Sequence, residues 1–346
     1  MATPSSTTAF APGRVNLIGE HTDYNSGLAV PFAIAEGVTV RATPVEGPRI
    51  EAFAGDFQQV DGFDLGEIAP ADGWRAFVRG TAAELQRAGR KLSGARLEIS
   101  GTVPRGAGLS SSAALSVALA LALDAQAGEL EPDRIELAKL CSRVEHTWVG
   151  AQTGLLDQLA SLFGERDRAV VIDFRSLEIR SVPLELPGYR LVLLDSHESR
   201  ANAGSGYNER RAECARASEL LGVSSLREAS LQDVERLPPP LADRARHVIG
   251  ENERVVEAVQ ALDRHDAIAL GRLLNASHLS SRDLYGISTD AVEAARERLL
   301  GAGAVGARLV GGGFGGNVLG LMPPGADDIP DAREVRPAAG AHVAVS

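Results

Sequence analysis

The chain has 346 residues, 44% of them hydrophobic and 23% charged. That is an ordinary globular composition and more chain than most single cores hold, so about two domains are expected. A formal charge of −11 argues against a nucleic-acid or anionic-membrane surface as the main partner, and two cysteines, Cys141 and Cys214, rule out a disulfide-built scaffold.

The opening MATPSSTTAF has neither a basic nor an apolar leader segment, so no signal peptide is expected and the cytoplasm is the expected location. Residues 15–19 and 28–34 read as strands. Trp74, Phe77, Val78, Ala82 and Leu85 fall at helical spacing, with Gly89 as the stop. Residues 96–104 alternate and end at Pro104. A helix over 112–126 follows; its run AALSVALALAL is too short to span a bilayer and reads as buried. Pro132 opens another helix that reaches about His146, a short helix fits 154–163, and 169–184 reads as a strand pair. The LELPG segment at 184–188 is the best joint, dividing 1–185 from 186–346. After it come a strand (RLVLLD), a mostly helical stretch to about Leu300, and strands ARLV and NVLGLM around a glycine cluster. The class is mixed α and β in two domains, without the regular alternation of a doubly wound sheet.

Four stretches carry chemistry. GRVNLIGEHTDYN, residues 13–25, follows an apolar run with Glu20, His21, Asp23 and Asn25; alone it reads as a polar turn, or as a pocket for a polyhydroxylated ligand. In VPRGAGLSSSAALSVALALAL, Gly106 and Gly108 lead to Ser110, Ser111 and Ser112 at the start of an apolar helix. Small residues let backbone approach a ligand, and a helix N-terminus supplies N–H groups, so an anion is expected there; a serine-capped core helix is the plainer reading. In TGLLDQLASLFG, Asp157 falls opposite the face of Leu155, Leu156, Leu159, Leu162 and Phe163, where it is solvated unless a pocket lies on that side. GGGFGG, 311–316, has the spacing of a dinucleotide fingerprint but no βαβ unit after it, so it reads as a turn against which something packs closely.

In this order the stretches resemble the galactokinase family. GRVNLIGEHTDYN is similar to its signature, PRGAGLSSSAA to the phosphate loop of the wider superfamily of galactokinase, homoserine kinase, mevalonate kinase and phosphomevalonate kinase, and VGGGFGG to its third motif. SGYNERRAEC and ASHLSSRDLY are similar too, and the likeness runs from about Phe10 to about Met322. The resemblance implies an α+β fold: a domain like domain 2 of ribosomal protein S5 joined to a ferredoxin-like domain, with the active site between them. It implies a monomeric sugar 1-kinase acting on D-galactose with ATP and Mg²⁺. Arg14 and Asp157 match catalytic positions, and Glu20, His21, Asp23, Gly154 and Tyr207 match sugar contacts. Gly106, Gly108 and Ser110–Ser112 match the phosphate loop, Ser112 and Glu145 the Mg²⁺ positions, and Trp74 an adenine-side aromatic. Thr153 stands where the family often has Cys, and Asn317 likewise. A kinase for L-arabinose is the alternative within the class; a non-catalytic sugar sensor is the alternative outside it.

Overall fold

The computed structural model describes residues 6–104, 106–198 and 203–345. In chain order the first part contains β1 (Thr7–Asn16), β2 (Leu28–Ala29), β3 (Pro31–Pro44), β4 (Arg49–Ala54), β5 (Gln59–Asp64), α1 (Trp74–Arg87), β6 (Ala95–Gly101), α2 (Ser111–Gln126), α3 (Arg134–Val144), α4 (Leu156–Phe163), β7 (Arg168–Asp173) and β8 (Glu178–Pro183). The second part contains β9 (Arg190–Asp195), α5 (Ala203–Leu221), α6 (Leu231–Val234), α7 (Leu241–Asp263), α8 (Ala267–Asp283), α9 (Asp290–Gly301), β10 (Gly306–Leu309), β11 (Asn317–Met322), β12 (Arg333–Val335) and β13 (His342–Val345). The architecture is α+β in two units.

A six-stranded sheet runs in the order β13-β1-β3-β6-β4-β5, a four-stranded one β10-β11-β9-β12, and a three-stranded one β2-β7-β8. The strand expected at 15–19 begins earlier, at Thr7, and ends at Asn16. Leu17 and Ile18 continue it as buried irregular chain, held because Leu17 N donates to Val30 O and Val30 N to Ile18 O. The β4–β5 hairpin escapes a pattern reading because Phe63 is the one buried side chain of β5. It is held by its ladder to β4 rather than by a face of its own.

Three apolar clusters hold the molecule. One lies between the six-stranded sheet and α1–α4, and another between the four-stranded sheet, α5, α7 and α9. The third joins Leu17, Ile18 and Phe32 to Leu191, Leu193, Val259, Leu274 and Leu319, so the two units share a dry core. The last strand also crosses back: Thr7 lies opposite Val345 and Phe10 opposite His342. β13 thus holds the start of β1, while its end, where the polar loop begins, is held by β3 and by the shared core around Leu17 and Ile18. No helix among the described residues is long and apolar enough to cross a membrane.

Candidate active site

A cavity of about 490 Å³ opens where the two units meet, and most of the site residues expected from sequence line it. Its first wall is the 106–112 loop. Gly106, Gly108 and Ser110 all have φ between 62° and 74°, the left-handed region that glycine enters without strain. The loop can lie on β1 because position 13 is glycine: a Cβ there would stand 2.5 Å from Leu109 O. Arg14 N donates to that same carbonyl at 3.1 Å.

Ser110 occupies the N-cap position of α2, yet its hydroxyl makes no capping bond. It donates instead to Asp157 Oδ2 at 2.5 Å. The first N–H groups of α2 are therefore not taken up by a cap, and they open beside Ser111 and Ser112 into the cavity. Arg14 completes the wall. Its Nε donates to Asp157 Oδ1 at 2.7 Å, its Nη2 lies 2.6 Å from the same oxygen, and its Nη1 donates to Gly108 O at 2.7 Å. The apolar face of α4 is buried, as its pattern predicts, and Asp157 on the other side faces the cavity with 24% of its side chain exposed.

The opposite wall is the 19–25 loop. Glu20 is 4% exposed. Its Oε1 accepts from Gly311 N at 2.7 Å and lies 3.3 Å from Arg308 Nη2. His21 has a positive φ of 59°. Its Nε2 lies 3.3 Å from Gly312 O and its Nδ1 2.7 Å from Tyr24 Oη. A carbonyl can only accept, so the Nε2 carries the proton and the Nδ1 accepts from tyrosine. Asp23 lies against Gly154 so closely that a Cβ on that glycine would stand 1.8 Å from Asp23 Oδ2. Burial, above all, pushes the Asp23 carboxyl up to about 7; Asp157 and Glu20 add to the rise, while the Tyr24 N–H and Arg211 oppose it. The Tyr207 ring closes this wall, 5.1 Å from that of His21. The glycine cluster at 311–316 is a close-approach turn, as expected: a Cβ on Gly312 would meet Tyr207 at 2.9 Å and one on Gly313 would meet Ile287 at 2.5 Å.

Glu145 sits behind the cavity wall, 3% exposed, at the start of the wide turn Glu145–Val149. Its Oε2 accepts from Thr153 Oγ1 at 2.5 Å, and its Oε1 is buried without a hydrogen-bond partner. Burial pushes this carboxyl up to about 7, with the Asp157 charge adding to the rise and the Thr153 hydroxyl bond and the nearby polar groups of Gln158 and Ser112 opposing it. An unsatisfied carboxylate oxygen beside a serine hydroxyl is a hard oxygen donor set of the kind Mg²⁺ accepts when phosphates and water supply the rest. Among the described residues no group of three acidic, histidine or cysteine side chains converges on a metal position. Trp74 lies elsewhere. It is packed into the core of the first unit, 8% exposed, with its indole N–H donated to Gln59 Oε1 at 3.1 Å, and it does not line the cavity.

Three charged residues of the second unit were not singled out from sequence: Arg308 and Glu251 hold the polar loop in place, and Arg211 holds the 152–154 segment. Arg308, fully buried, donates through Nη1 to Asn16 O at 2.9 Å and Leu17 O at 3.1 Å. Glu251, equally buried, accepts through Oε1 from Gly19 N at 3.0 Å, Glu20 N at 3.4 Å and Ser277 Oγ at 2.6 Å, and through Oε2 from Arg254 Nε at 2.7 Å. Burial alone would raise its pKa; Arg254, His247, Arg308 and the Ser277 hydroxyl outweigh that and hold it at about 2. Arg211 reaches across from α5 to the 152–154 segment. An arginine inside the apolar strand ARLV was a usable signal for the first. The others sit in helices where a charge looks solvated.

Family models match this chain over three stretches: the GHMP kinases N terminal domain over residues 76–165, the galactokinase galactose-binding signature over 2–44, and the GHMP kinases C terminal domain over 258–342. The galactokinase of Thermotoga petrophila is 41% identical over 318 residues, covering 91% of this chain and 89% of its own length. That of Mycobacterium tuberculosis is 43% identical over 326 residues, covering 90% and 88%. The crystal structure of Lactococcus lactis galactokinase complexed with galactose superposes with a TM-score of 0.91 at 33% identity, over 98% of this chain and 95% of that one. Methanococcus jannaschii mevalonate kinase, at 17% identity and a TM-score of 0.68, shares the fold.

Proposed function

From membership of the galactokinase family of GHMP kinases, to which this chain belongs, we propose how its cavity acts as a sugar 1-kinase, moving the γ-phosphoryl group of ATP to the C1 hydroxyl of D-galactose. The observation that carries the reading is the Arg14–Asp157 pair, bonded at 2.6–2.7 Å at the point where the phosphate-type loop meets the polar loop.

The division of labour follows from donor and acceptor chemistry. The amides of the 106–112 loop and of the α2 N-terminus, with Ser111 and Ser112, receive phosphate oxygens. This is not a lysine-based loop: the chain has just Lys91 and Lys139, neither near the cavity. Glu20 and Asp23 accept from sugar hydroxyls, and a sugar with a hydroxyl on the wrong side leaves one of these carboxylates unpaired. Gly154 and Tyr207 shape the same pocket, and the His21 ring packs beside them. Asp157 polarises the C1 hydroxyl and receives its proton. Arg14 holds the Asp157 carboxylate in place and stabilises charge on the transferring phosphoryl group. Ser112 and Glu145 would hold Mg²⁺, which when bound neutralises phosphate charge.

A coupled ADP-release assay over a panel of monosaccharides tests this. D-galactose is expected to give the highest kcat/KM, and a faster L-arabinose would move the substrate to the sugar that lacks the C6 arm. ADP release with no sugar of the panel would overturn the kinase reading in favour of a sensor.

A further inference from the structure

Arg211 lies one helical turn beyond Tyr207 on α5, so both side chains point toward the first unit. Its Nη1 donates to Gln152 O at 2.6 Å and to Thr153 O at 3.3 Å, and its guanidinium sits 5.7 Å from the centre of the Tyr24 ring. The 152–154 segment it grips has two working sides. On one, Gly154 is packed on Asp23 with no room for a Cβ. On the other, Thr153 Oγ1 donates to Glu145, and Thr153 O also accepts from His146 Nε2 at 2.7 Å. One side chain of the second unit thus anchors a strip of the first that touches the sugar carboxylate and braces Glu145.

We propose that Arg211 is a positioning residue of the sugar site: bridging the carbonyls of Gln152 and Thr153, it holds Gly154 against Asp23, and its charge keeps the Asp23 carboxylate ready to accept sugar hydroxyls. This rests on the reading of the cavity as a galactose site. The charge balance supports it. Among the described residues, Asp23 is faced by Glu20 and Tyr24 on its own loop, Asp157 on α4, and Tyr207 and Arg211 on α5; Arg211 is the cation in that set, while Arg14 is paired with Asp157. Both bonds leave from the same nitrogen, Nη1, so lysine at this position keeps the charge but must reach the two carbonyls from a shorter side chain.

The test compares Arg211→Met, which keeps the bulk, with Arg211→Lys, which keeps the charge. Galactose binding is measured by calorimetry without ATP; kcat/KM for galactose across pH, KM for ATP and melting temperature are measured on the same preparations. For Arg211→Met, galactose binding is expected to weaken about tenfold or more with KM for ATP within about twofold. The acid limb of kcat/KM should move to higher pH, because removing a nearby positive charge makes Asp23 hold its proton longer. Arg211→Lys should keep the parent's acid limb while losing part of the affinity. Parent-like galactose binding and acid limb in Arg211→Met overturn the inference alone, as does a loss of galactose and ATP affinity in step with a lower melting temperature. An Arg211→Lys limb displaced as far as that of Arg211→Met overturns the charge role. A parent that binds no galactose overturns the galactose reading, and this inference with it.

Discussion

At one end of the cavity the working groups are backbone amides and hydroxyls from one continuous stretch, Gly106–Ser112, backed by β1 of the same unit. At the other they are carboxylates and rings from the 19–25 loop, braced by the second unit: Glu20 by Gly311 N and Arg308, the Gly19 and Glu20 amides by Glu251, His21 by Gly312 O. A phosphate is large, charged and nearly symmetric, so converging N–H groups suffice to hold it. Ring hydroxyls differ only in direction. Reading them takes charged acceptors that cannot turn, and such acceptors stay put in a poorly solvated pocket only if other charges and amides hold them. Damage at the two ends should therefore differ in kind.

The largest effect is expected where the ends meet. Asp157→Asn keeps the shape but removes charge and basicity, so kcat should fall by roughly 10²–10⁴-fold while calorimetric galactose and ATP binding persist. A near-parental kcat would remove Asp157 from the chemistry. At the sugar end, Asp23→Ala should lower kcat/KM for galactose by about one to two orders of magnitude, with KM for ATP nearly unchanged. If the two substrates suffer alike, the separation of the ends is wrong. Gly154→Ala drives a methyl into the same carboxylate and should give the same selective loss, to within about tenfold of Asp23→Ala. The bracing predicts a stability contrast. Glu251→Gln leaves Arg254 and Arg308 with less buried counter-charge and should cost about 3–5 kcal/mol in denaturant unfolding. Ser111→Ala at the phosphate end should stay within about 1 kcal/mol. The smallest effect is on pH. Burial favours the neutral form of Asp23, so below about 7 the carboxyl is protonated and loses acceptor capacity. The kcat/KM for galactose should rise as pH increases through that value, a limb that Asp23→Asn should weaken, leaving the part that Glu145 contributes.

Much of the site was legible in the sequence because its signals are local. A glycine–serine run at the head of an apolar helix, an aspartate opposite a leucine face, and four hydrogen-bonding residues after a buried strand each declare themselves within a dozen residues. The two-unit α+β division and the principal helices are legible for the same reason, since periodicity reports which face of an element is buried. It does not report what the face is buried against. Strands β5 and β13 lie at the two edges of the first sheet, where pairing with a neighbour stands in for a pattern of their own. Trp74 is an aromatic like any other until its core and Gln59 claim it. Ser110 looks like a cap until Asp157, 47 positions on, takes its hydroxyl. The reach is longest for the braces: Arg308 to Asn16 spans 292 positions and Glu251 to Gly19 spans 232. The sequence by itself determined which groups are proposed to meet phosphate and sugar, because that chemistry is written in residue type and short spacing. Only the tertiary structure decided what holds them still, because a buried charge is stabilised by whichever partner the fold brings to it, and that partner leaves no mark in the residues beside it.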